Sequence, residues 1–293
     1  MPARPSAPSS PSRLLPPLPD VVLEPIVKLA LAEDLGVAGD VTTDALVGPD
    51  AQGRWVIAAR KPGVVAGIDA ASLAGWMIDP DIEFIVHAPD GASVKAKDVI
   101  VQIEGAARSV LMAERTMLNF MGRLSGIATL TRAYVDAVHG EAVIASTRKT
   151  TPGLRALEKR AVRLGGGGAH RYGLDDAILI KDNHIAAAGG VGRALELARA
   201  AAAHLTAIEI EVDNLEQFKQ ALPHAPSAIM LDNFTLADMR AAVKLANGQV
   251  LLEASGGVTL ESVYAIAETG VDVISVGALT HSAPALDIGL DTI

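Results

Sequence analysis

The feature that most constrains the fold is a series of short apolar runs in the second half of the chain. They begin at residues 142, 177, 207, 228, 250 and 271, and the last four gaps are 30, 21, 22 and 21 residues. Amphipathic helical patterns such as TLADMRAAVKLA lie between them. Apolar strands that alternate with such helices indicate parallel βα units whose strands are buried on both faces. A spacing near 21 residues favours a compact α/β barrel, although six strands do not show a closed barrel of eight.

The first half of the chain has a different pattern. Residues 1–20 contain seven of the 16 prolines and no apolar stretch typical of a secretory signal, so we expect a disordered tail there. A predicted helix that stops at Gly36 is followed by short alternating runs, which indicate a small sheet-plus-helix domain. Residues 109–138 predict a helix interrupted near Gly122 and Gly126. We therefore predict domains at 21–125 and 126–293, and the last residues could rejoin the N-terminal domain.

Composition excludes several classes of protein. A chain of 293 residues that is 50% hydrophobic and 20% charged has enough apolar surface to fold, and its length permits two domains. No apolar run approaches the roughly 20 residues needed to cross a bilayer. The absence of cysteine excludes disulfides, thiolate-bound metals and thiol nucleophiles. The net charge of −9 argues against a general nucleic-acid binder. We also expect the protein to be cytoplasmic.

Polar residues or glycines follow each of the six predicted strands, where the loops of a parallel barrel converge. In chain order they are Thr147, Arg148, Lys149, then Lys181, Asp182, Asn183, His184, then Glu211, Asp213, then Asp232, Asn233, then Ser255, Gly256, Gly257, and finally Gly277 and His281. Four residues are instead expected to be helix caps, namely Asp213, Asn214, Thr235 and Thr259. The remaining set predicts one functional mouth.

Positive charge is concentrated in residues 148–171, which carry +6 and leave −15 for the rest of the chain. Four of these basic residues are expected to lie on a solvated helix, namely Arg155, Lys159, Arg160 and Arg163. Arg148 and Lys149 instead sit at a strand end, and His170 and Arg171 follow four consecutive glycines. Glycine allows backbone N–H groups close to an anion, and guanidinium groups bind carboxylates and phosphates in bidentate fashion. Together with Lys181, these residues predict a substrate with several negative charges.

Two acidic residues stand among these cations, Glu211 and Asp232, at neighbouring strand ends. Carboxylates in such a place indicate either a bound Mg²⁺ or stabilisation of positive charge that develops on the substrate. The glycines after the last two strands resemble the phosphate site that late βα loops form in barrels.

With these residues in place, the sequence resembles the quinolinate phosphoribosyltransferase family. The resemblance rests on EDLGVAGDVTT, ERTMLNFMGRLSGIAT, STRKTTPGLRALEKRAVRLGGGGAHRYGL, ILIKDNHI, IEIEVDN, IMLDNF, EASGGV and ISVGALTHS, in order from about Leu23 to Ile288. It implies an N-terminal α/β sandwich, an open α/β barrel of seven strands, and a homodimer or higher homo-oligomer. It also implies transfer of the phosphoribosyl group of PRPP to quinolinate with decarboxylation, in the presence of Mg²⁺.

The resemblance also implies roles for individual residues. Arg148, His170, Arg171 and Lys181 would hold the two quinolinate carboxylates, and Arg115 would reach the neighbouring subunit's site. Lys149, Glu211 and Asp232 would face PRPP and its metal, with Thr147 among the substrate-binding residues. Ser255, Gly256, Gly257 and Gly277 would form the 5′-phosphate site.

Three other functions remain open from the sequence. A Schiff-base aldolase would use Lys181 as its nucleophile. A relative of the same fold, such as one associated with molybdenum transport, would transfer phosphoribosyl to another acid. A regulatory protein would bind the anion without turnover.

Overall fold

The computed structural model describes residues 15–293. Most of the predicted tail, residues 1–14, therefore lies outside the described residues, and the first helix begins at Asp20. The strands are β1 Gln52–Ala59, β2 Gly63–Val64, β3 Glu83–Val86, β4 Ser93–Val94, β5 Val99–Ala106, β6 Val143–Ser146, β7 Gly168–Ala169, β8 Ile178–Ile180, β9 Ile208–Val212, β10 Ala228–Asp232, β11 Leu251–Ser255, β12 Val273–Ser275 and β13 Ile288–Thr292. The α-helices are α1 Asp20–Leu35, α2 Val41–Leu46, α3 Ile68–Ile78, α4 Ala107–Ala137, α5 Arg155–Leu164, α6 Asp182–Ala188, α7 Val191–Ala201, α8 Leu215–Ala221, α9 Leu236–Ala246, α10 Val263–Ala267 and α11 Ala278–His281, and a 3₁₀ helix spans Leu222–His224.

The described chain divides into two compact units. One contains residues 133–149 and 167–278, and the other contains residues 15–132, 150–166 and 279–293. No helix of residues 15–293 is both long and apolar enough to span a membrane.

The second of these units is built on an antiparallel sheet with strand order β13-β1-β5-β3. The C-terminal strand β13 pairs with β1 from Trp55 opposite Thr292 to Ala59 opposite Ile288. Strands β2 and β4 form a separate two-stranded sheet. Buried Leu23 and Val27 place one face of α1 in the core of this unit.

Helix α4 is continuous, so the predicted interruption near Gly122 and Gly126 is wrong. The two glycines are four residues apart and lie on one face of the helix. A Cβ at Gly126 would lie 2.0 Å from the carbonyl oxygen of Pro284, and one at Gly122 would lie 3.3 Å from that of Leu286. These glycines therefore allow the C-terminal segment to pack against the helix backbone.

The basic helix α5 is only partly solvated. Arg163 is exposed as predicted, but Lys159 is buried, and the side chain of Arg160 is 10% exposed. Arg160 Nη1 contacts Asp90 Oδ2 at 2.6 Å, and burial raises the pKa of the Asp90 carboxyl. The prediction is wrong for Lys159, which is buried, and for Arg160, whose partner Asp90 comes from a distant part of the chain.

The first unit carries a seven-stranded parallel sheet with strand order β7-β6-β12-β11-β10-β9-β8. Its two edge strands, β7 and β8, each have one neighbour, so the barrel is open, which confirms the expected fold class. The seventh strand, β7, is two residues long and lies in the glycine run. It carries no apolar pattern, which explains why the sequence shows only six strands.

Two of the four predicted caps are helix caps. The Asn214 side chain accepts hydrogen bonds from two backbone N–H groups at the start of α8, and Thr235 accepts one at the start of α9. The prediction is wrong for Asp213 and Thr259. The Asp213 N–H is bonded by the Gln217 side chain, and Thr259 forms a turn with Ser262 before α10 begins.

Candidate active site

A cavity of about 380 Å³ opens at the carboxyl ends of the parallel strands. It is lined by Thr147, Arg148, Lys149, His170, Arg171, Leu179, Lys181, Glu211, Met230, Asp232, Ser255 and Ser275. All twelve belong to the parallel-sheet unit, and they come from successive strands and the loops that follow them. The volume falls within the range of small-molecule binding sites.

Nine of the predicted site residues line this cavity, and four do not. Gly256 and Gly257 follow β11 directly, and Gly277 follows β12 by two residues. Arg115 is exposed on α4, in the other compact unit.

Arg171 is anchored by a hydrogen bond that leaves its Nε–H able to bind a ligand. Its Nη1 donates to the carbonyl oxygen of Ala177 at 3.0 Å, and its Nε–H is buried with no hydrogen-bond partner among the described residues. Burial lowers the pKa of Arg171, and the nearby charge of Arg148 lowers it further. Because two cations and an unsatisfied donor are unfavourable together, this end of the cavity is set to bind an anion.

Two carboxylates, those of Glu211 and Asp232, also line the cavity. Lys181 Nζ forms a close ion pair with Glu211 Oε2. The Asp232 carboxylate accepts a hydrogen bond from Asn233 Nδ2 at 2.7 Å. Both acidic residues thus have partners that fix their orientation at the strand ends.

Gly256 has no room for a side chain. Its φ is +96°, and a Cβ built there would lie 2.1 Å from Asn233 Oδ1 and 2.9 Å from the Asn233 backbone nitrogen. Asn233 itself has a φ of +53°. The loops after β10 and β11 therefore pass closely by each other beside Asp232 and Ser255.

Sequence reasoning missed three polar residues near His170, namely Glu209, Glu253 and Ser275. Glu209 Oε2 lies 2.7 Å from His170 Nε2, and Glu253 Oε1 lies 3.8 Å from it. Ser275 makes a close hydrogen bond to Glu253, whose pKa is raised to about 7 by burial and by the charge of Glu209. One signal was present, because acidic residues alternate with apolar ones in IEIEV and alternate strand residues share a face.

Two sets of residues have the donors for a cation. Glu211 and Asp232 line the cavity, and their oxygen atoms suit Mg²⁺, which is usually held by one or two carboxylates together with substrate phosphates and water. Ligand atoms of His170, Glu209 and Glu253 lie within 4.8 Å of one another. The contacts of His170 with the two carboxylates account for the same spacing without a metal ion.

Two protein-family models match the chain. Residues 40–125 match the quinolinate phosphoribosyl transferase N-terminal domain, and residues 127–291 match the C-terminal domain of the same family. The matched segments include every residue that lines the cavity.

Individual relatives agree with these models. The chain is similar to the nicotinate-nucleotide pyrophosphorylase [carboxylating] of Mycobacterium leprae, with 48% identity over 90% of this chain and 95% of the relative. It is also similar to the crystal structure of NadC from Streptococcus pyogenes, with 37% identity, a TM-score of 0.91, and coverage of 95% and 100%. The nicotinate-nucleotide pyrophosphorylase structure from Francisella tularensis gives 38% identity, a TM-score of 0.90, and coverage of 94% and 98%. The chain therefore belongs to the quinolinate phosphoribosyltransferase family.

Proposed function

We propose that the strand-end cavity is where this chain performs the reaction of its family. The enzyme transfers the phosphoribosyl group of PRPP to quinolinate and decarboxylates the product, giving nicotinate mononucleotide, pyrophosphate and CO₂ in NAD biosynthesis. The observation that carries the proposal is the arrangement of Arg148, Arg171 and Lys181 with Glu211 and Asp232 around one cavity. Such a site matches a dianionic acceptor and a donor that loses an anionic leaving group.

Quinolinate would bind at the cationic end of the cavity. Arg148 and Arg171 repel each other and Arg171 is partly desolvated, so a bound dianion would relieve both penalties. The buried Nε–H of Arg171 has no hydrogen-bond partner among the described residues, and a carboxylate oxygen of quinolinate would supply one. His170 and Lys181, which the family resemblance assigns to the same carboxylates, line the same cavity.

PRPP would occupy the side with Lys149, Glu211 and Asp232. Ser255 lines the cavity and leads into Gly256 and Gly257, so the backbone of this loop can approach the 5′-phosphate. Gly277 on the next loop and Thr147 on the first would complete the phosphate-binding groups. Mg²⁺ would supply neutralisation of charge on the departing pyrophosphate, with Glu211 and Asp232 as its protein ligands, directly or through water.

The chemistry requires positioning and charge compensation more than proton transfer. The bond from ribose C1 to pyrophosphate breaks, and C1 gains positive charge that the Glu211 carboxylate can stabilise. The quinolinate ring nitrogen then forms its bond to C1. The ring, now positively charged, takes up the electron pair of the adjacent C–CO₂ bond as CO₂ leaves, and solvent supplies the proton that replaces it.

The ion pair between Lys181 and Glu211 disfavours the aldolase alternative. An imine-forming lysine has to present an uncharged amine, whereas Lys181 contacts a carboxylate. In this account Lys181 acts as a cation that balances Glu211 and approaches a substrate carboxylate.

A second copy of the chain would complete the site. Arg115 is exposed on α4 and does not line the cavity, and the family resemblance assigns it to the neighbouring subunit's quinolinate. In a dimer, Arg115→Ala and Arg171→Ala should each abolish activity alone. Mixed dimers should recover one intact site, and no recovery on mixing would contradict the shared site. We also propose a cytoplasmic location, which fractionation of the native cell would test.

Incubation with PRPP and Mg²⁺ tests the proposed function directly. Quinolinate should yield nicotinate mononucleotide, pyrophosphate and CO₂, and omission of Mg²⁺ should stop turnover. Product from nicotinate but none from quinolinate would refute the assignment, and binding of PRPP without any turnover would favour a regulatory protein.

A further inference from the structure

Glu209 is a buried carboxylate that the mechanism above does not use. It lies on β9 two residues before Glu211, and its side chain is 12% exposed. Its Oε1 has no hydrogen-bond partner among the described residues. A buried carboxylate with one unsatisfied oxygen is costly, and this one contacts His170, which lines the cavity.

A chain of hydrogen bonds leads from Glu209 to Arg171. His170 Nε2 lies 2.7 Å from Glu209 Oε2, and His170 Nδ1 accepts the backbone N–H of Arg171 at 2.8 Å. Since Nδ1 faces a donor, it carries no proton. The proton of the neutral imidazole therefore sits on Nε2 and is donated to Glu209.

This arrangement changes the role expected for His170. Both of its ring nitrogens are committed to protein partners, so the neutral ring offers no N–H to a substrate carboxylate. The ring instead joins Glu209 to the backbone of the residue whose guanidinium faces the anion site.

A second link between Glu209 and Arg171 is electrostatic. Burial and Arg148 lower the pKa of Arg171, whereas the charges of Asp176 and Glu209 act in the opposite direction. The charge of Glu209 thus partly offsets the unfavourable burial of the Arg171 cation beside Arg148. The neighbouring Glu253 is held by Ser275 and stands farther from the ring, at 3.8 Å from Nε2.

We propose that Glu209 is a positioning residue of the quinolinate site, which through the Nε2–H of His170 fixes the imidazole so that Nδ1 holds the backbone of Arg171 in place for the substrate's carboxylates. This inference rests on the proposed role of Arg171 in quinolinate binding. It assigns a purpose to the buried carboxylate and makes His170 a connecting residue.

Glu209→Gln tests the proposal because it keeps the shape of the side chain and removes its charge. We expect the quinolinate KM to rise about tenfold or more, as for other lost charged hydrogen bonds behind a binding residue, and the PRPP KM to stay within about twofold. Glu209→Asp, which restores the charge on a shorter stem, should recover part of the loss.

Asp90→Asn is the matched control for a merely structural effect. It also removes a buried carboxylate, one that pairs with Arg160 in the other compact unit, so it should lower thermal stability without changing the quinolinate KM. If Glu209→Gln loses stability in the same way and leaves the quinolinate KM unchanged, the proposal is overturned.

A ¹⁵N NMR spectrum of wild-type enzyme that contains ¹⁵N-labelled histidine tests the protonation of His170 directly. The His170 ring, assigned from the signal lost in His170→Asn, should be neutral with its proton on Nε2, both free and with the unreactive dicarboxylate phthalate. A ring protonated on both nitrogens, or one equivalent of divalent metal that copurifies and is lost in Glu209→Gln, would overturn the proposal. Failure of the proposed function would show differently, as a wild-type enzyme with no turnover of quinolinate.

Discussion

Replacing Glu253 by glutamine should raise the free energy of unfolding relative to the wild type, and this gain should be larger at pH 8 than at pH 5. The side chain is nearly buried, and burial together with the Glu209 carboxylate raises its pKa from 4.5 to about 7. The folded state therefore keeps a proton on Glu253 up to about pH 7, whereas the unfolded chain releases it near pH 4.5. The resulting contribution to stability is fully present below pH 4.5 and is lost as the pH rises through about 7.

The magnitude follows from the two pKa values. Each pH unit between them corresponds to about 1.4 kcal/mol, so the wild type loses up to about 3 kcal/mol from this group. The Glu253→Gln amide resembles the protonated carboxyl at every pH and escapes this loss. Relative to the wild type, the variant should gain about 2–3 kcal/mol in free energy of unfolding between pH 5 and pH 8, because part of the loss already occurs between pH 4.5 and pH 5.

Urea unfolding of both proteins at pH 5 and pH 8 measures this difference. Glu196→Gln, on an exposed ion pair with Arg193, is the control and should change stability little and equally at the two pH values. A Glu253→Gln variant that is destabilised to the same extent at pH 5 and pH 8 would refute the reasoning, because it would show that Glu253 is ionised in the folded protein throughout.

Two further predictions concern the cavity. Arg171→Lys should raise the quinolinate KM by about tenfold to a hundredfold, because an ammonium lacks the planar fork that binds a carboxylate in bidentate fashion. Initial rates at saturating PRPP measure this KM, and an unchanged value would show that Arg171 does not contact quinolinate. Gly256→Ala should raise the PRPP KM and lower the free energy of unfolding by about 1–3 kcal/mol, since its Cβ would lie 2.1 Å from Asn233 Oδ1 at a φ of +96°. Wild-type values for both quantities would contradict the close approach of these loops.

The sequence was sufficient to predict the barrel and the mouth of the cavity because both depend on local patterns. Six apolar runs mark six of the seven strands, and the strand-end position of Glu211 and Asp232 follows from chain order alone. The seventh strand, Gly168–Ala169, escaped because a two-residue strand held by its neighbour needs no apolar side chains.

The features that the sequence did not reveal depend on long-range contacts. Arg160 lies on a helix that reads as solvated, yet it is paired with Asp90, 70 residues away. Glu209 reads as one acidic residue in an apolar strand, and only the fold brings it to His170. In the same way, the sequence suggests that Gly126 breaks the helix, whereas the structure shows that it allows Pro284 to pack against the helix.

The proposed function requires that the locally cationic cavity of this acidic chain bind quinolinate and couple phosphoribosyl transfer to decarboxylation. The most direct test uses quinolinate labelled with ¹⁴C in the carboxyl group next to the ring nitrogen. Labelled CO₂ should be released only when PRPP is present, with one equivalent for each pyrophosphate formed. Release of pyrophosphate from the quinolinate reaction without labelled CO₂, or of labelled CO₂ without PRPP, would contradict the proposed function.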